Sequence, residues 1–205
     1  MKKNRSSKTW IIKQHRDQFF KKSKVLGYRS RSAFKLLELN KKFKFISKKT
    51  SLIDIGSSPG GWSQVASEII KNGKIVAIDK KSMEKINNVK FYQGDFFETK
   101  IKDKLLNLLP EKVDVIISDM AADTTGIKSL DSIRTNLLCE EVIDFSVKII
   151  KPNGKVISKL FMGEDFLKVK KIAEKKFKKV NFFKPESSRD ESKETYIHCA
   201  YLNTL

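Results

Sequence analysis

Residues 51–62, Ser-Leu-Ile-Asp-Ile-Gly-Ser-Ser-Pro-Gly-Gly-Trp, constrain the fold of this chain more than any other stretch. A short apolar run ends in a loop that holds Gly56, Gly60 and Gly61, and apolar residues recur at spacings of three and four from Trp62 onward. This pattern predicts a strand, a tight glycine turn and the start of a helix. Because glycine has no Cβ, such a junction lets backbone N–H groups approach a polar ligand closely. An ordinary strand–helix turn is the alternative.

Length and composition favour a single α/β domain. A chain of 205 residues can bury one sizeable core. No segment reaches the roughly 20 apolar residues of a membrane span, and the N-terminus lacks the apolar region of a secretory signal. Cys139 and Cys199 have neither metal-binding nor redox spacing and are predicted to be reduced core residues. We therefore expect a cytoplasmic protein with no membrane association and no metal site.

The net charge of +19 is concentrated near the N-terminus. Residues 1–49 hold 17 Lys or Arg against two acids, so +15 of the total lies there. This asymmetry indicates a nucleic-acid partner or another anionic surface, with a solvated basic tail as the alternative. We assign residues 1–27 to a basic arm and residues 28–205 to the domain. Phe19 and Phe20 in the arm are predicted to dock onto the domain rather than to stack on bases.

The remaining pattern predicts strands that alternate with helices. A helix is expected from Ala33, in which Phe34 and Leu37 face the core and Lys35 lies off that stripe, available to solvent or a substrate. Longer helices are expected at 131–150 and 164–177. Further strands are predicted at 74–79, 89–93, 113–119, 155–161, 180–183 and 195–201. Such alternation is typical of a parallel sheet, and the last two strands, with no helix between them, predict an antiparallel hairpin that closes it.

Several charged residues lie where strands end. Asp79 ends the second strand, where an acid can accept hydrogen bonds from ribose hydroxyls or can serve as a turn residue. Asp95 follows the third strand and could accept from an adenine amino group or belong to a turn. Asp119 follows the fourth strand, at the edge where open α/β sheets hold ligands. Lys159 is a cation inside an otherwise apolar strand, with a snorkelling surface lysine as the alternative.

Five motifs follow one another between about Tyr28 and Tyr201. They are Arg29-Ser-Arg31-Ser-Ala-Phe-Lys35-Leu, Asp54-Ile-Gly-Ser-Ser-Pro-Gly-Gly-Trp62, Ser118-Asp119-Met-Ala, Lys159-Leu-Phe-Met-Gly163 and Ser188-Arg-Asp-Glu-Ser-Lys-Glu194-Thr-Tyr196. This set resembles the FtsJ family of RNA ribose 2′-O-methyltransferases, in particular the bacterial members that act on a uridine of large-subunit (23S) ribosomal RNA. Two departures are Ala122, where a proline often follows Asp-Met-Ala, and Ser57-Ser58 in place of a common Ala-Ala pair.

The resemblance implies a Rossmann-like methyltransferase fold that uses S-adenosyl-L-methionine (SAM). The expected sheet has seven mostly parallel strands with an antiparallel last strand and helices on both faces. The family places a catalytic tetrad around the target hydroxyl, which here is Lys35, Asp119, Lys159 and Glu194. The implied SAM-binding residues are Gly56, Gly60, Gly61, Trp62, Asp79, Asp95 and Asp119. Because the sulfonium of SAM already activates its methyl group, no metal is expected.

The chemistry of the tetrad leaves one question open. A ribose 2′-OH is a poor nucleophile, and we expect Lys159, oriented by Asp119, either to take its proton or to steer its lone pair. Lys35 and Glu194 would position the ribose. Lys35 would lower the pKa of Lys159, whereas Asp119 and Glu194 would raise it, and the balance is not decided by sequence.

We therefore predict SAM-dependent methylation of a ribose 2′-OH, with ribosomal RNA or the large ribosomal subunit as partner and a monomeric protein. The alternatives are a transfer-RNA or cap 2′-O-methyltransferase, and a non-catalytic RNA-binding assembly factor. A nicotinamide-dependent oxidoreductase is disfavoured, because Ser58 breaks the G-x-G-x-x-G fingerprint two positions after Gly56.

Overall fold

Seven strands form one sheet in this computed structural model, which describes residues 17–108, 111–163 and 165–203. In chain order the strands are β1 (Leu52–Ile55), β2 (Ile75–Asp79), β3 (Val89–Gln93), β4 (Val113–Ser118), β5 (Ile150–Phe161), β6 (Phe177–Phe183) and β7 (Glu194–Leu202). Their order across the sheet is β3-β2-β1-β4-β5-β7-β6. The first five strands pair in parallel, and β7 runs antiparallel to both β5 and β6. The predicted sheet is confirmed, including the antiparallel last strand.

Helices cover both faces of this sheet. They are α1 (Gln18–Val25), α2 (Ser32–Phe43), α3 (Gly61–Ile69), α4 (Thr99–Leu108), α5 (Lys128–Ile149) and α6 (Phe166–Lys176). One apolar cluster joins α2 and α3 to the sheet through residues such as Leu36 and Val65. A second cluster joins α4, α5 and α6 to the opposite face through Leu105, Val142 and Val169. Because both faces are covered, the central strands are apolar at almost every position.

Two elements differ from the sequence-based expectation. Strand β5 begins at Ile150 rather than Lys155, because Ile150 already pairs with Val113 and the register then shifts before Val115 pairs with Lys155. The preceding helix ends at Ile149, one residue before its predicted end. Pro152 lies inside an irregular strand, although a proline often marks a boundary between two elements. Helix α4 was not predicted; it has ten residues, and Leu105 is its one buried side chain.

Part of the predicted basic arm is described, and residues 1–16 lie outside the described residues. Asp17 caps α1 by accepting from the backbone N–H groups of Phe19 and Phe20 at 3.0 and 3.1 Å. The Phe19 ring packs against Phe34 of α2, with 5.5 Å between ring centroids. The predicted docking of Phe19 onto the domain is thus confirmed.

Neither membrane-spanning helices nor paired cysteines occur in the described part of the chain. No helix there is both long enough and apolar enough to cross a bilayer. Cys139 and Cys199 are free and buried, as predicted. No group of His, Cys, Asp and Glu among the described residues is arranged to hold a metal ion.

Candidate active site

A cavity of about 480 Å³ lies at the carboxyl ends of β1, β2 and β4. Its size falls in the range of small-molecule sites, and its position is the one at which open α/β sheets bind ligands. Gly56 and the three predicted acids, Asp79, Asp95 and Asp119, all line it. The structure therefore brings together four of the seven residues predicted to bind the cofactor.

Gly56 occupies a position that only glycine fits. Its φ is +77°, and a Cβ added there would lie 2.1 Å from Cγ of Met120. Met120 also lines the cavity, so the absence of a side chain at Gly56 lets the backbone turn pass directly beneath the wall of the site.

Asp79 and Asp95 are held in place by backbone donors. Asp79 accepts from the N–H groups of Ser58 at 2.9 Å and Lys81 at 2.7 Å. Asp95 accepts from the N–H of Phe97 at 2.9 Å. These are the turn contacts proposed as the alternative, yet both residues also line the cavity. Turn formation and ligand binding are therefore compatible at these two positions.

Gly60, Gly61 and Trp62 are not among the residues that line this cavity. A Cβ on Gly60 would lie 3.0 Å from Nη1 of Arg29, and a Cβ on Gly61 would lie 2.2 Å from Oγ of Ser30. Trp62 is buried in the core cluster beneath α2 and α3. Close packing of α3 against the segment before α2 accounts for these three residues, and their part in cofactor binding stays a prediction.

The four predicted catalytic side chains meet beside the cavity in an alternating row of charges. Nζ of Lys35 lies 2.6 Å from Oε1 of Glu194. Nζ of Lys159 lies 3.8 Å from Oε2 of Glu194 and 2.9 Å from Oδ1 of Asp119. These side chains are at most 17% exposed, so the pairs are poorly screened by water. Asp119 belongs to the row and to the cavity wall, which makes the two sites continuous.

The antiparallel direction of β7 explains how residues so distant in sequence converge. Parallel strands β4 and β5 bring Asp119 and Lys159 to the carboxyl edge of the sheet. Because β7 runs the opposite way, its first residue, Glu194, pairs with Phe161 at the same edge. Lys35 reaches this edge from the first turn of α2.

Lys35 corrects one sequence-based expectation. We expected it to lie off the core stripe and to be available to solvent or substrate, whereas it is 8% exposed. The stripe that packs on the sheet contains Ala33, Leu36 and Leu39. A lysine tolerates such burial only with a partner, and the Glu194 carboxylate is that partner.

Two supporting residues were missed as functional positions. Oη of Tyr196 donates to Oδ1 of Asp119 at 2.5 Å, and Oγ of Ser188 donates to Oε1 of Glu194 at 2.8 Å. Lys159 additionally donates to the backbone carbonyl of Asp119 at 2.8 Å. The signal for Tyr196 was present in the sequence, since it stands two residues after Glu194 and a strand places such residues on one face.

The charges in the row shift the pKa values of Lys159 and Asp119. Burial by itself lowers the pKa of Lys159, but the charges of Asp119 and Glu194 outweigh burial and raise it overall. Burial likewise acts to raise the pKa of Asp119, and the charges of Lys159 and Lys35 lower it overall. At neutral pH the pair is therefore an ammonium and a carboxylate. The two carboxylates therefore decide the direction of the Lys159 pKa shift, and the role of Lys159 in the reaction stays a prediction.

Asp54, the first residue of the second motif, is a buried acid beneath the site for which no separate role was predicted. It accepts from Oγ of Ser63 at 2.6 Å, while its Oδ1 has no hydrogen-bond partner among the described residues. Burial, with a smaller effect from the charges of Asp119 and Asp79, raises the pKa of Asp54 to about 7. The folded state thus holds this proton over a pH range in which the unfolded chain has lost it, and stability falls as pH rises from about 4 through 7.

We expect Asp54→Asn to raise the melting temperature more at pH 8 than at pH 5. The asparagine keeps an acceptor for Ser63 and removes a buried charge, whose cost reaches several kcal/mol because each pKa unit corresponds to about 1.4 kcal/mol. Calorimetric melting at the two pH values measures the difference. Asp103→Asn, on the exposed face of α4, is the matched control and should show none. An equal shift for Asp54→Asn at both pH values would contradict a buried carboxylate.

A sheet of this order, with an antiparallel seventh strand and a ligand-sized cavity at the carboxyl ends of its parallel strands, defines a Rossmann-like methyltransferase. A candidate ribosomal RNA methyltransferase from Plasmodium falciparum superposes with a TM-score of 0.77 at 35% identity, over 85% of this chain and 98% of that one. A candidate methyltransferase from Streptococcus mutans, solved with SAH, shares the fold at a TM-score of 0.53 and 12% identity, over 84% of this chain and 96% of that one.

Sequence comparison gives the family. Residues 28–202 match the FtsJ-like methyltransferase family, and the chain belongs to it. The ribosomal RNA large subunit methyltransferase E of Pelagibacter ubique is 48% identical over 202 residues, which cover 98% of this chain and all of the relative. The predicted family, fold and enzyme class are confirmed.

Proposed function

We propose that this chain methylates a ribose 2′-OH of ribosomal RNA, with SAM as methyl donor and a uridine of the large subunit as target. The observation that carries the proposal is the continuity between the row of buried charges and the ligand-sized cavity, which share Asp119. The family and the name of the Pelagibacter ubique relative support the choice of ribosomal RNA. The free, buried cysteines fit a reducing cytoplasm, and the monomeric state stays a prediction.

The donor and acceptor set of the cavity fits SAM. Asp79 and Asp95 offer carboxylate oxygens, which suit the ribose hydroxyls and the adenine amino group of a nucleoside. When bound, SAM supplies a methyl group activated by its sulfonium. The backbone bonds to both carboxylates hold their oxygens in fixed positions before the ligand arrives, which reduces the entropy lost on binding.

Within the tetrad, Lys159 acts as a charged hydrogen-bond donor. Its ammonium has three N–H groups, of which two are occupied by the Asp119 carboxylate and the Asp119 carbonyl. The third lies nearest to Oε2 of Glu194, at 3.8 Å, which is longer than a hydrogen bond, and it can donate to the ribose 2′ oxygen and orient its lone pair. Lys35 holds Glu194, and Tyr196 holds Asp119, so that both carboxylates keep their places around the hydroxyl. The work of the site is positioning, which can supply a large part of a catalytic rate enhancement.

Two experiments test the proposed function. SAM should raise the melting temperature of the protein whereas NAD should not, because only a ligand that binds the folded state stabilises it. Mapping ribose methylation of ribosomal RNA in cells with and without the protein should show one position that loses its methyl group. Stabilisation by NAD alone would favour an oxidoreductase. Loss of a methyl group from transfer RNA instead would show that the substrate is transfer RNA.

The N-terminal segment is expected to bind RNA phosphates. Residues 1–16 carry six Lys or Arg and no acid. Their removal should weaken RNA binding and reduce the slope of log K against log salt by up to about four, at roughly 0.7 per lost contact. The cut is placed before Asp17 because its carboxylate pairs with Arg31, and α1 packs on α2. Titrations at several salt concentrations measure the slope, with SAM affinity as control. An unchanged slope would leave the segment without a role in binding.

A further inference from the structure

A second, apolar pocket of about 300 Å³ lies where β5 and β6 end and β7 begins. We call it the aromatic pocket and define it by Met162, Phe166, Phe182 and Phe183. Glu194 also lines it, so the pocket adjoins the tetrad. It shares no lining residue with the cavity that suits SAM. Any ligand that it holds while a ribose lies at the tetrad is therefore a neighbour of that ribose.

The side chains of this pocket are unusual for a surface. Met162 is 46% exposed, and all three phenylalanines are partly exposed. The rings of Phe166 and Phe182 lie 4.6 Å apart at 51°, which leaves an angled aromatic wall rather than a closed stack. Exposed apolar groups that adjoin a functional site mark a binding surface.

The rim of the pocket carries positive charge. Lys193 is exposed and has no ion-pair partner in the part of the chain that the structure describes. Lys184 donates to the carbonyls of Asp190 and Ser192 at 3.1 and 2.7 Å, and these bonds fold the loop before β7 around the pocket. The acid at the rim, Glu194, is already paired with Lys35. Aromatic faces beside an unpaired lysine suit a base and its phosphate.

We propose that the aromatic pocket binds an unstacked nucleobase of the RNA strand, within one nucleotide of the ribose at the tetrad. The inference rests on the proposed function and adds a recognition element to it. Phosphate contacts bind any sequence, whereas a base can enter this pocket only where the strand is single-stranded or can be opened. The pocket thus selects a loop or an unpaired segment of the RNA for methylation.

A double-mutant cycle that combines substitutions in the pocket with abasic RNA tests whether the pocket binds a base. The probe is a synthetic RNA that spans the mapped methylation site, prepared intact and with a single abasic nucleotide at the target or at either neighbour. Binding is measured for the wild type, Phe166→Ala and Met162→Ala. The control is Leu167→Ala, which is 62% exposed on the same helix and does not line the pocket.

One abasic position should weaken wild-type and Leu167→Ala binding by about 5- to 150-fold. Phe166→Ala should bind intact RNA more weakly than the wild type does, by a similar factor. The same abasic change should then weaken the binding of this variant by less than about twofold, because the stacking partner is already gone. Met162→Ala should show a smaller loss in the same direction, which keeps the test valid if Phe166→Ala folds poorly.

The proposal would be overturned if Phe166→Ala and the abasic change weakened binding independently, so that the combination showed the full effect of each. Normal binding of intact RNA by both pocket variants would also overturn it. A failure of the proposed function has a different signature. In that case the wild type does not methylate intact RNA at all. If only the pocket proposal is wrong, the wild type still methylates intact RNA, and an abasic nucleotide weakens binding equally in the wild type and in Phe166→Ala.

Discussion

Lys159→Met is expected to lower kcat for methyl transfer by about 10²- to 10⁴-fold, the range measured when a positioned proton-transfer or charge-stabilising group is removed. The methionine fills a similar volume but has no N–H to offer the ribose oxygen. Single-turnover kinetics at saturating SAM measure the loss. SAM affinity should stay within about twofold, since Lys159 does not line the cavity.

The matched control is Lys155→Met on the same strand. Lys155 lies four residues before Lys159 and pairs with Ala200 at the far end of the β5–β7 ladder from the tetrad, so its variant should turn over normally. Lys159→Met also leaves the Asp119 carboxylate without its ammonium, and the stability loss from breaking such a buried pair is about 3–5 kcal/mol. The assays should therefore be run at a temperature well below the melting temperature of the variant. Near-normal turnover by folded Lys159→Met would remove Lys159 from the mechanism.

Asp119→Asn is expected to lower kcat at least about a hundredfold and to change how the rate depends on pH. Burial acts to lower the pKa of Lys159, and the charge of Asp119 is foremost among the effects that oppose it. Without that charge the ammonium loses its proton more readily as pH rises. The rate of the variant, measured over a series of pH values, should consequently fall at a lower pH than the wild-type rate, which stays level for as long as Lys159 remains charged.

The same pH series distinguishes the two roles considered for Lys159. If neutral Lys159 removed the ribose proton, its raised pKa would make the wild-type rate climb about tenfold per pH unit across the series. A level profile supports steering by the ammonium. Asp123→Asn is the control, because Asp123 also lines the cavity but pairs with the exposed Lys80 outside the tetrad. A slope of one in the wild type would contradict the steering role.

The sequence was sufficient to predict the sheet, and the resemblance to the FtsJ family supplied the four tetrad residues, whose catalytic role stays a prediction. The strands that matter are apolar runs with sharp ends, and the ligand edge of a parallel sheet follows from their direction. Asp119 was thus expected at the ligand edge, whereas its place beside Lys159 was implied by the family resemblance. Helix α4, ten residues with Leu105 as the one buried side chain, was missed.

The environment of each site residue was not accessible from sequence. Lys35 was expected to be open to solvent, because nothing near it in the chain shows that Glu194 lies 2.6 Å away. The raised pKa of Lys159 depends on the net result of burial and two carboxylates, which only the distances decide. The aromatic pocket joins Phe166 to Phe182 and Phe183 across a helix and a strand, so no local pattern predicts it.

In the proposed mechanism, buried charges around Lys159 and Asp119 direct a methyl group to a ribose hydroxyl. The most direct test is to incubate the protein with ribosomal RNA and SAM that carries a labelled methyl group, and then to hydrolyse the RNA with alkali. A methylated 2′ oxygen cannot attack the adjacent phosphate, so the label should remain in an alkali-resistant dinucleotide and should be absent with Lys159→Met. Label in single nucleotides would show methylation elsewhere, and that result, or no transfer at all, would contradict the account.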